Sequence, residues 1–272
     1  MKKPLLQLVV ALFSIILIVG CNNTATTEKK ETKVEKNGEV TLYIVRHGKT
    51  MLNTTDRVQG WSDAVLTSEG EKTIGYVGNG LKDIKFTAAY SSDSGRSVQT
   101  ANIILDKNKK SRLSLQTDKR LREFNFGTYE GDLNHTMWTD IAEKQGKTLD
   151  EWMAENVSPK DFANSVAELD KGRVKESENW PAEDYETITK RLKESIDEIA
   201  KKESEKGNIN VLVVSHGLSI GALLDVLSDG YELPAGGLKN GSVTIIKYKN
   251  GQYRIDKVGD LSYIEKGSKS TR

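Results

Sequence analysis

Two apolar runs in this chain each stop at a histidine followed by glycine. Val40-Thr41-Leu42-Tyr43-Ile44-Val45 gives way to Arg46-His47-Gly48, and Asn210-Val211-Leu212-Val213-Val214 gives way to Ser215-His216-Gly217. An imidazole can act as nucleophile or base near neutral pH. The guanidinium of Arg46 is a planar fork of donors that fits an oxyanion such as phosphate. Gly48 lets the backbone turn sharply and approach a ligand. A further arginine, Arg96, follows Ser91-Ser92-Asp93-Ser94-Gly95, and a carboxylate, Glu123, sits between Leu121-Arg122 and Phe124. No Cys/His cluster has zinc spacing, and neither an HExxH helix, a paired-aspartate metal loop nor a Walker glycine loop is present. Two histidines, two arginines and one glutamate without a metal motif suit phosphoryl transfer through a phosphohistidine. In that chemistry His47 attacks phosphorus while Arg46, Arg96 and His216 hold the non-bridging oxygens. Glu123 protonates the leaving oxygen and then deprotonates the attacking water. Burial in a cleft would raise the Glu123 pKa and suit it to the acid role.

The elements around these residues read as an α/β fold. Val40–Val45 and 210–214 are β-branched runs of buried-strand length. In open α/β sheets, ligands collect at the carboxyl ends of strands, where both histidines fall. Thr67 or Ser68 caps a helix over Glu69–Leu81, with Glu71 near the capping-box position. Phe86–Tyr90 is a short strand, and 91–94 offers N-caps for a helix through Val98, Ala101, Ile104 and Leu105. A cation at that helix start opposes the macrodipole. A bound anion facing both Arg96 and the helix end would remove the conflict. Leu113–Leu115 reads as another strand. From about Leu133 to Lys206 the chain is helical, with Trp138, Trp152 and Trp180 read as core anchors and His135 as structural or exposed. A stretch this long is more than a loop and suits a helical insertion over a pocket. The helix 218–227 points its first N–H groups at whatever lies beside His216. Val243–Tyr248, Asn250-Gly251 and Tyr253–Val258 form a hairpin, and the tail after Ile264 is frayed.

With 40 basic and 39 acidic residues in 272, the net charge of +1 supplies no field for nucleic acid, and no nucleic-acid-binding motif appears. Anion selectivity must be local. The N-terminus has the layout of a secretory signal: Met1-Lys2-Lys3, an apolar run from Leu5 to Gly20, then Cys21. Ile18-Val19-Gly20-Cys21 resembles the bacterial lipobox, which implies cleavage before Cys21 and lipidation of its thiol. Cys21 is the only cysteine, so no intramolecular disulfide can form. Residues 22–38 are polar and read as a tether. The expected organisation is therefore a leader over 1–20, a lipidated cysteine and tether over 21–38, a domain over 39–265 with a helical cap over 133–206, and a tail over 266–272. The expected location is outside the cell, anchored to the membrane through the lipid.

In order along the chain, Arg46-His47-Gly48 with Thr50 and Asn53, Gln59-Gly60-Trp61-Ser62-Asp63 with Leu66-Thr67 and Gly70, the run 91–101, Leu121-Arg122-Glu123 with Phe126-Gly127 and Glu130-Gly131, and Val214-Ser215-His216-Gly217 resemble the histidine phosphatase superfamily, the phosphoglycerate mutase-like group. The resemblance spans about Thr41 to Tyr248. It implies a three-layer α/β/α sandwich with a mostly parallel sheet and a phosphohistidine at His47. It also implies phosphate contacts from Arg46, Arg96 and His216, with further contacts from Asn53, the Gln59-Gly60 backbone and Gly217, the acid at Glu123, and no cofactor. Lys49 departs from the family, which more usually has Glu or Gln there. In mutases of the family the glutamate precedes a motif like Arg-His-Tyr-Gly-Gly. Here Phe124-Asn125-Phe126-Gly127-Thr128-Tyr129-Glu130-Gly131 looks like the phosphatase branch. The expected activity is metal-independent hydrolysis of a small phosphorylated substrate. The alternatives are phosphoglycerate mutase-type transfer and a lipoprotein that captures phosphorylated solutes without turnover.

Overall fold

In the structure, a computed structural model, residues 37–155, 157–173, 178–228, 234 and 236–270 are described. The leader, Cys21 and the tether up to residue 36 lie outside them. Within them, no helix is long and apolar enough to cross a membrane.

Strand β1 (Val40–Arg46) is followed by the short helix α1 (Met51–Thr54) and by α2 (Ser68–Gly80). Then come β2 (Phe86–Ser91), α3 (Gly95–Lys107) and β3 (Leu115–Thr117). Helices α4 (Asn134–Lys144), α5 (Leu149–Met153), α6 (Pro159–Asp170) and α7 (Tyr185–Ser204) lead to β4 (Ile209–Ser215) and α8 (Gly217–Ser228). The chain closes with β5 (Val243–Lys249), β6 (Gln252–Asp260) and α9 (Ser262–Lys269). The six strands lie in the order β3-β2-β4-β1-β5-β6. β1, β2, β3 and β4 run parallel, while β5 and β6 are antiparallel. This is the expected α/β sheet, mixed rather than parallel throughout.

Alternation along the strands makes two cores. Val40, Leu42, Ile44, Val211 and Val213 face one way and pack under Ile196 and Ile199 of α7 and Ile220, Leu223 and Leu224 of α8. Val45, Leu212 and Val214 face the other way, against Ile74 and Val77 of α2 and Ala101 and Ile104 of α3. Each such fully buried aliphatic side chain contributes about 1.5–3 kcal/mol. A third core, around Phe124, Phe126, Met137, Trp152 and Val166, belongs to α4–α6 and the segment entering them.

Local signals held where their chemistry is local. Thr67 caps α2 by accepting the Gly70 N–H at 3.0 Å. Glu71 closes no capping box; it accepts from Gln99 at 2.6 Å instead. Asn250 (φ 51°) and Gly251 (φ 81°) make the two-residue hairpin turn, both in the left-handed region that such turns need.

Three expectations are corrected. The edge strand β3 lies at Leu115–Thr117 rather than 113–115, because Ala89 and Ser91 of β2 set its register while its outer residues stay exposed. The helical stretch 133–206 is not one insertion. α4–α6 form the cap, whereas the C-terminal half of α7 covers the sheet. Finally, the tail is not frayed from 265 onward, since α9 packs on α2 through glycines. A Cβ at Gly80 would lie 2.1 Å from the Tyr263 carbonyl oxygen, and one at Gly267 would lie 1.8 Å from that of Tyr76. Only glycine permits backbones so close, and a polar composition conceals that contact.

Candidate active site

The β1–β4 pairing decides where the chemistry sits. Arg46 lies opposite Ser215 in the parallel register, and the His47 N–H donates to the Ser215 carbonyl at 3.0 Å. Residues 47 and 216 therefore leave the sheet side by side. Their rings stand 5.2 Å apart between centroids, inclined at 60°. β2 ends on the same edge, where the Ser92 N–H donates to the Val214 carbonyl at 2.9 Å. That delivers α3 and Arg96 to the same place.

His47 is buried, and its Nδ1 lies 2.8 Å from the Gly48 carbonyl oxygen. A carbonyl only accepts, so Nδ1 carries the proton and Nε2 keeps its lone pair. Asn240 fixes the His47 carbonyl at 2.9 Å, and Thr100 accepts the Gly48 N–H at 3.0 Å. Burial pushes the His47 pKa well below its ordinary value, and the charges of Arg96 and Arg46 push it further. His216 shifts the same way, through burial first and then Arg96, His47, Arg191 and Arg46. Both rings are accordingly neutral around pH 7. The Nε2 of His216 lies 3.4 Å from the Ser97 hydroxyl, and its Nδ1 is buried without a partner among the described residues.

Arg96 is wholly buried. Its guanidinium donates to the carbonyls of Ser62 (3.0 Å) and Gly60 (2.7 Å) and to the Asp63 carboxylate (2.9 Å). Asp63 also accepts the Gly95 N–H at the start of α3. The Asp63 carboxylate thus offsets the clash between Arg96 and the helix dipole. Arg46 donates to the Leu238 carbonyl, and its Nε, like that of Arg96, is buried without a partner among the described residues. Burial pulls the Arg46 pKa down, Glu123 raises it and Arg96 lowers it. A Cβ on Gly217 would lie 3.1 Å from the Arg46 Nε, so glycine there gives the guanidinium its room.

Glu123 is buried at the N-terminus of α8. Its Oε1 accepts from the Ser219 N–H (2.8 Å), the Ser219 hydroxyl (2.9 Å) and the Phe124 N–H (3.1 Å), whereas among the described residues Oε2 accepts only from the Leu218 N–H (3.1 Å). The first N–H groups of α8 therefore address Glu123 rather than an anion beside His216. Oε2 is the less encumbered of the two oxygens. Arg46, Asn53, Gln59, Glu123 and Gly217 line one cavity of about 830 Å³.

The expected binding residues differ in what they face. Asn53 and Gln59 hold one another, Asn53 Nδ2 lying 3.3 Å from Gln59 Oε1. Gly60 cannot make the backbone contact expected of it. Its N–H is taken by Glu130 at 3.0 Å and its carbonyl by Arg96, so it organises the site without facing phosphate. Lys49 points its exposed side chain outward, while its carbonyl accepts the Thr67 N–H at 2.8 Å. Of the tryptophans read as core, Trp152 is buried, Trp138 lines the cavity, and Trp180 is 70% exposed against Trp61. His135 is exposed.

Two further positioning residues, Glu130 and Arg191, were given no role in the sequence reading. Glu130 gathers the N–H groups of Gly60, Trp61, Ser62 and Phe126 at 2.7–3.1 Å, holding the loop that carries the Arg96 acceptors. Arg191 of α7 pairs with Glu183 and donates to the Arg120, Arg122 and Glu123 carbonyls, fixing the segment that presents Glu123. Glu130 was part of the Glu130-Gly131 motif of the resemblance, with no role attached to it, and Arg191 is one of several charged residues on the amphipathic helix α7.

The family model described as Histidine phosphatase superfamily (branch 1) matches residues 42–261. This chain belongs to that superfamily. It is 30% identical over 234 residues to a Yersinia pestis protein named Probable phosphoglycerate mutase GpmB, covering 82% of this chain and 94% of the relative. Among solved structures it is similar to a phosphoglycerate mutase from Bacillus anthracis, with 40% identity and a TM-score of 0.77 over 86% of this chain and 98% of that one. It is also similar to Bacillus stearothermophilus YhfR, with 26% identity and a TM-score of 0.63 over 83% and 99% of the two chains. Members named as mutases and as phosphatases share this superfamily, whose established character is enzymatic.

Proposed function

We propose that this chain is a metal-independent phosphomonoester hydrolase working through a phosphohistidine at His47. The observation that carries the reading is the Nδ1–H bond from His47 to the Gly48 carbonyl, which leaves a neutral Nε2 lone pair inside a buried cationic cradle. In the first step Nε2 forms a bond to phosphorus as the ester P–O bond breaks. The leaving oxygen takes a proton from Glu123 Oε2. Arg46, Arg96 and His216 hold the non-bridging oxygens, where preorganised donors lower the barrier most. Water then attacks the phosphohistidine and gives its proton to Glu123, returning His47 and releasing phosphate.

Transfer of the mutase type uses the same groups, and the names of the similar Yersinia and Bacillus anthracis proteins favour it. The segment after Glu123 favours hydrolysis. In place of a run like Arg-His-Tyr-Gly-Gly it has Phe124-Asn125-Phe126-Gly127, and Phe124 and Phe126 are buried there.

One experiment separates the readings. The protein is given an aryl phosphate and, separately, 3-phosphoglycerate with a trace of its bisphosphate, with and without a chelator. Phosphate release that survives the chelator and is lost in His47→Ala supports the hydrolase. Isomerisation outpacing release supports the mutase, and tight binding without either supports a capture protein. We further propose that the chain is an exported lipoprotein anchored through Cys21. Cys21→Ser should abolish incorporation of labelled palmitate and release the protein from the membrane fraction. Unchanged membrane retention without label would reject the anchor.

A further inference from the structure

The cavity is far larger than a phosphate cradle. Its volume of about 830 Å³ lies near the upper end of the ~300–1,000 Å³ typical of sites for drug-sized ligands. Besides polar residues such as Asn53, Gln59, Asn134 and Ser158, its walls carry an apolar cluster: Phe126, Met137, Trp138, Trp152, Val157 and Phe162. Most of these come from the cap helices, outside the segments that carry the catalytic groups.

Charge on the walls argues against a second anionic group on the substrate. Among the described lining residues the cations are Arg46 and Arg57, and one Nη of Arg57 is already committed to the Gly131 carbonyl at 2.7 Å. The carboxylates of Glu155 and Asp225 line the same space. One wall residue also carries an unmet donor. Trp152 is only 5% exposed, yet its indole N–H has no acceptor among the described residues. Its ring lies tilted beside Phe162 with centroids 6.4 Å apart. Buried indole N–H groups ordinarily find a partner.

We propose that the substrate is the phosphomonoester of an extended, uncharged, largely apolar alcohol. Its body rests on Met137, Trp138 and Phe162, and an acceptor on that body takes the Trp152 N–H. This rests on the hydrolase reading above. The phosphate is held at the sheet end, the alcohol lies along the cap, and hydrolysis frees the alcohol with its new proton.

The test is the rate of hydrolysis along n-alkyl phosphates from ethyl to octyl, whose leaving alcohols are nearly equal in basicity. The ratio kcat/KM should climb by up to about fourfold for each methylene that becomes fully buried, and octyl phosphate should outrun 3-phosphoglycerate. Keto-alkyl phosphates, with the carbonyl moved along the chain, then locate the donor. One position should exceed the parent alkyl ester, and in Trp152→Phe that advantage of the keto ester over its own parent, about fivefold, should vanish. A flat alkyl series, or a preference for 3-phosphoglycerate, overturns the proposal without touching the hydrolase reading. Equal loss on keto and plain chains removes the donor role. No turnover of any ester, ethyl and aryl included, overturns both readings. The alkyl series uses the unaltered protein, so its outcome does not depend on the variant folding.

Discussion

At the carboxyl ends of the strands, beside Arg46 and Glu123 of the cavity wall, His47 and His216 leave adjacent parallel strands in register, and Arg96 enters from the neighbouring strand's exit. At the other end of the cavity, Met137, Trp152 and Phe162 stand on the cap helices α4, α5 and α6. The sheet end is held by backbone pairing, by the ion pair from buried Arg96 to Asp63, and by hydrogen bonds from the 60–62 amides to Glu130. The cap end is held by side-chain packing, including aromatic contacts from Phe126 to Phe162 and from Phe162 to Trp152. A misplaced sheet-end residue would undo the pairing itself. A changed cap residue reshapes a wall. On the hydrolase reading proposed above, reaction and selectivity rest on separate parts of the fold and should fail separately.

The sharpest division is expected at Glu123. Glu123→Gln should slow alkyl phosphates by about 10²–10⁴-fold, the range for a lost general acid, and aryl phosphates far less because their leaving oxygen needs little protonation. Equal losses on both ester types, in parallel kinetic runs, would deny Glu123 the proton-transfer role.

Acid should loosen the sheet end specifically. Both histidines are held neutral in the native state, with pKa values well below 6.5, so the unfolded chain binds more protons once the pH drops under that value. Stability is therefore fully present above about pH 6.5 and is lost as pH falls toward the native values. The slope is about 1.4 kcal/mol per pH unit for each ring. Urea titrations over pH 7 to 5 should show this slope, and His47→Asn should roughly halve it. No change in that window would mean the rings are not neutral and buried as described.

The smallest effect is expected at the cap. Phe162→Ala should leave kcat for a small aryl phosphate within about threefold while raising KM for long alkyl esters, the signature of lost uniform binding. A drop in kcat for both ester classes would join the two ends that the structure separates.

The sheet end was legible in the sequence because strand length, β-branched runs and the His-Gly stops are local features. Residues 40–46 and 209–215 pair over seven positions once they are strands, and their exits then coincide. The partners of the catalytic groups were less legible. Asp63 reaches Arg96 across 33 residues, and Arg191 reaches the Glu123 carbonyl across 68. Nothing in composition marks an arginine on α7 as buried against distant carbonyls. The cap was legible as a helical insertion over a pocket with tryptophan anchors, but amphipathic helices of this kind hide which apolar residues meet the cavity. Trp180 and Trp152 look alike in the sequence, yet one is exposed and the other lines the cavity as a buried indole.

Everything proposed for the chemistry turns on His47 Nε2 carrying the phosphoryl group, and that group can be trapped. The protein should be mixed with an excess of aryl phosphate, quenched rapidly at high pH, where phosphohistidine survives, and digested for mass spectrometry. One phosphoryl group is expected on the peptide containing His47, labile to acid and absent in His47→Ala. Steady turnover with no label at His47, or with the label on His216, would contradict a phosphohistidine at that position.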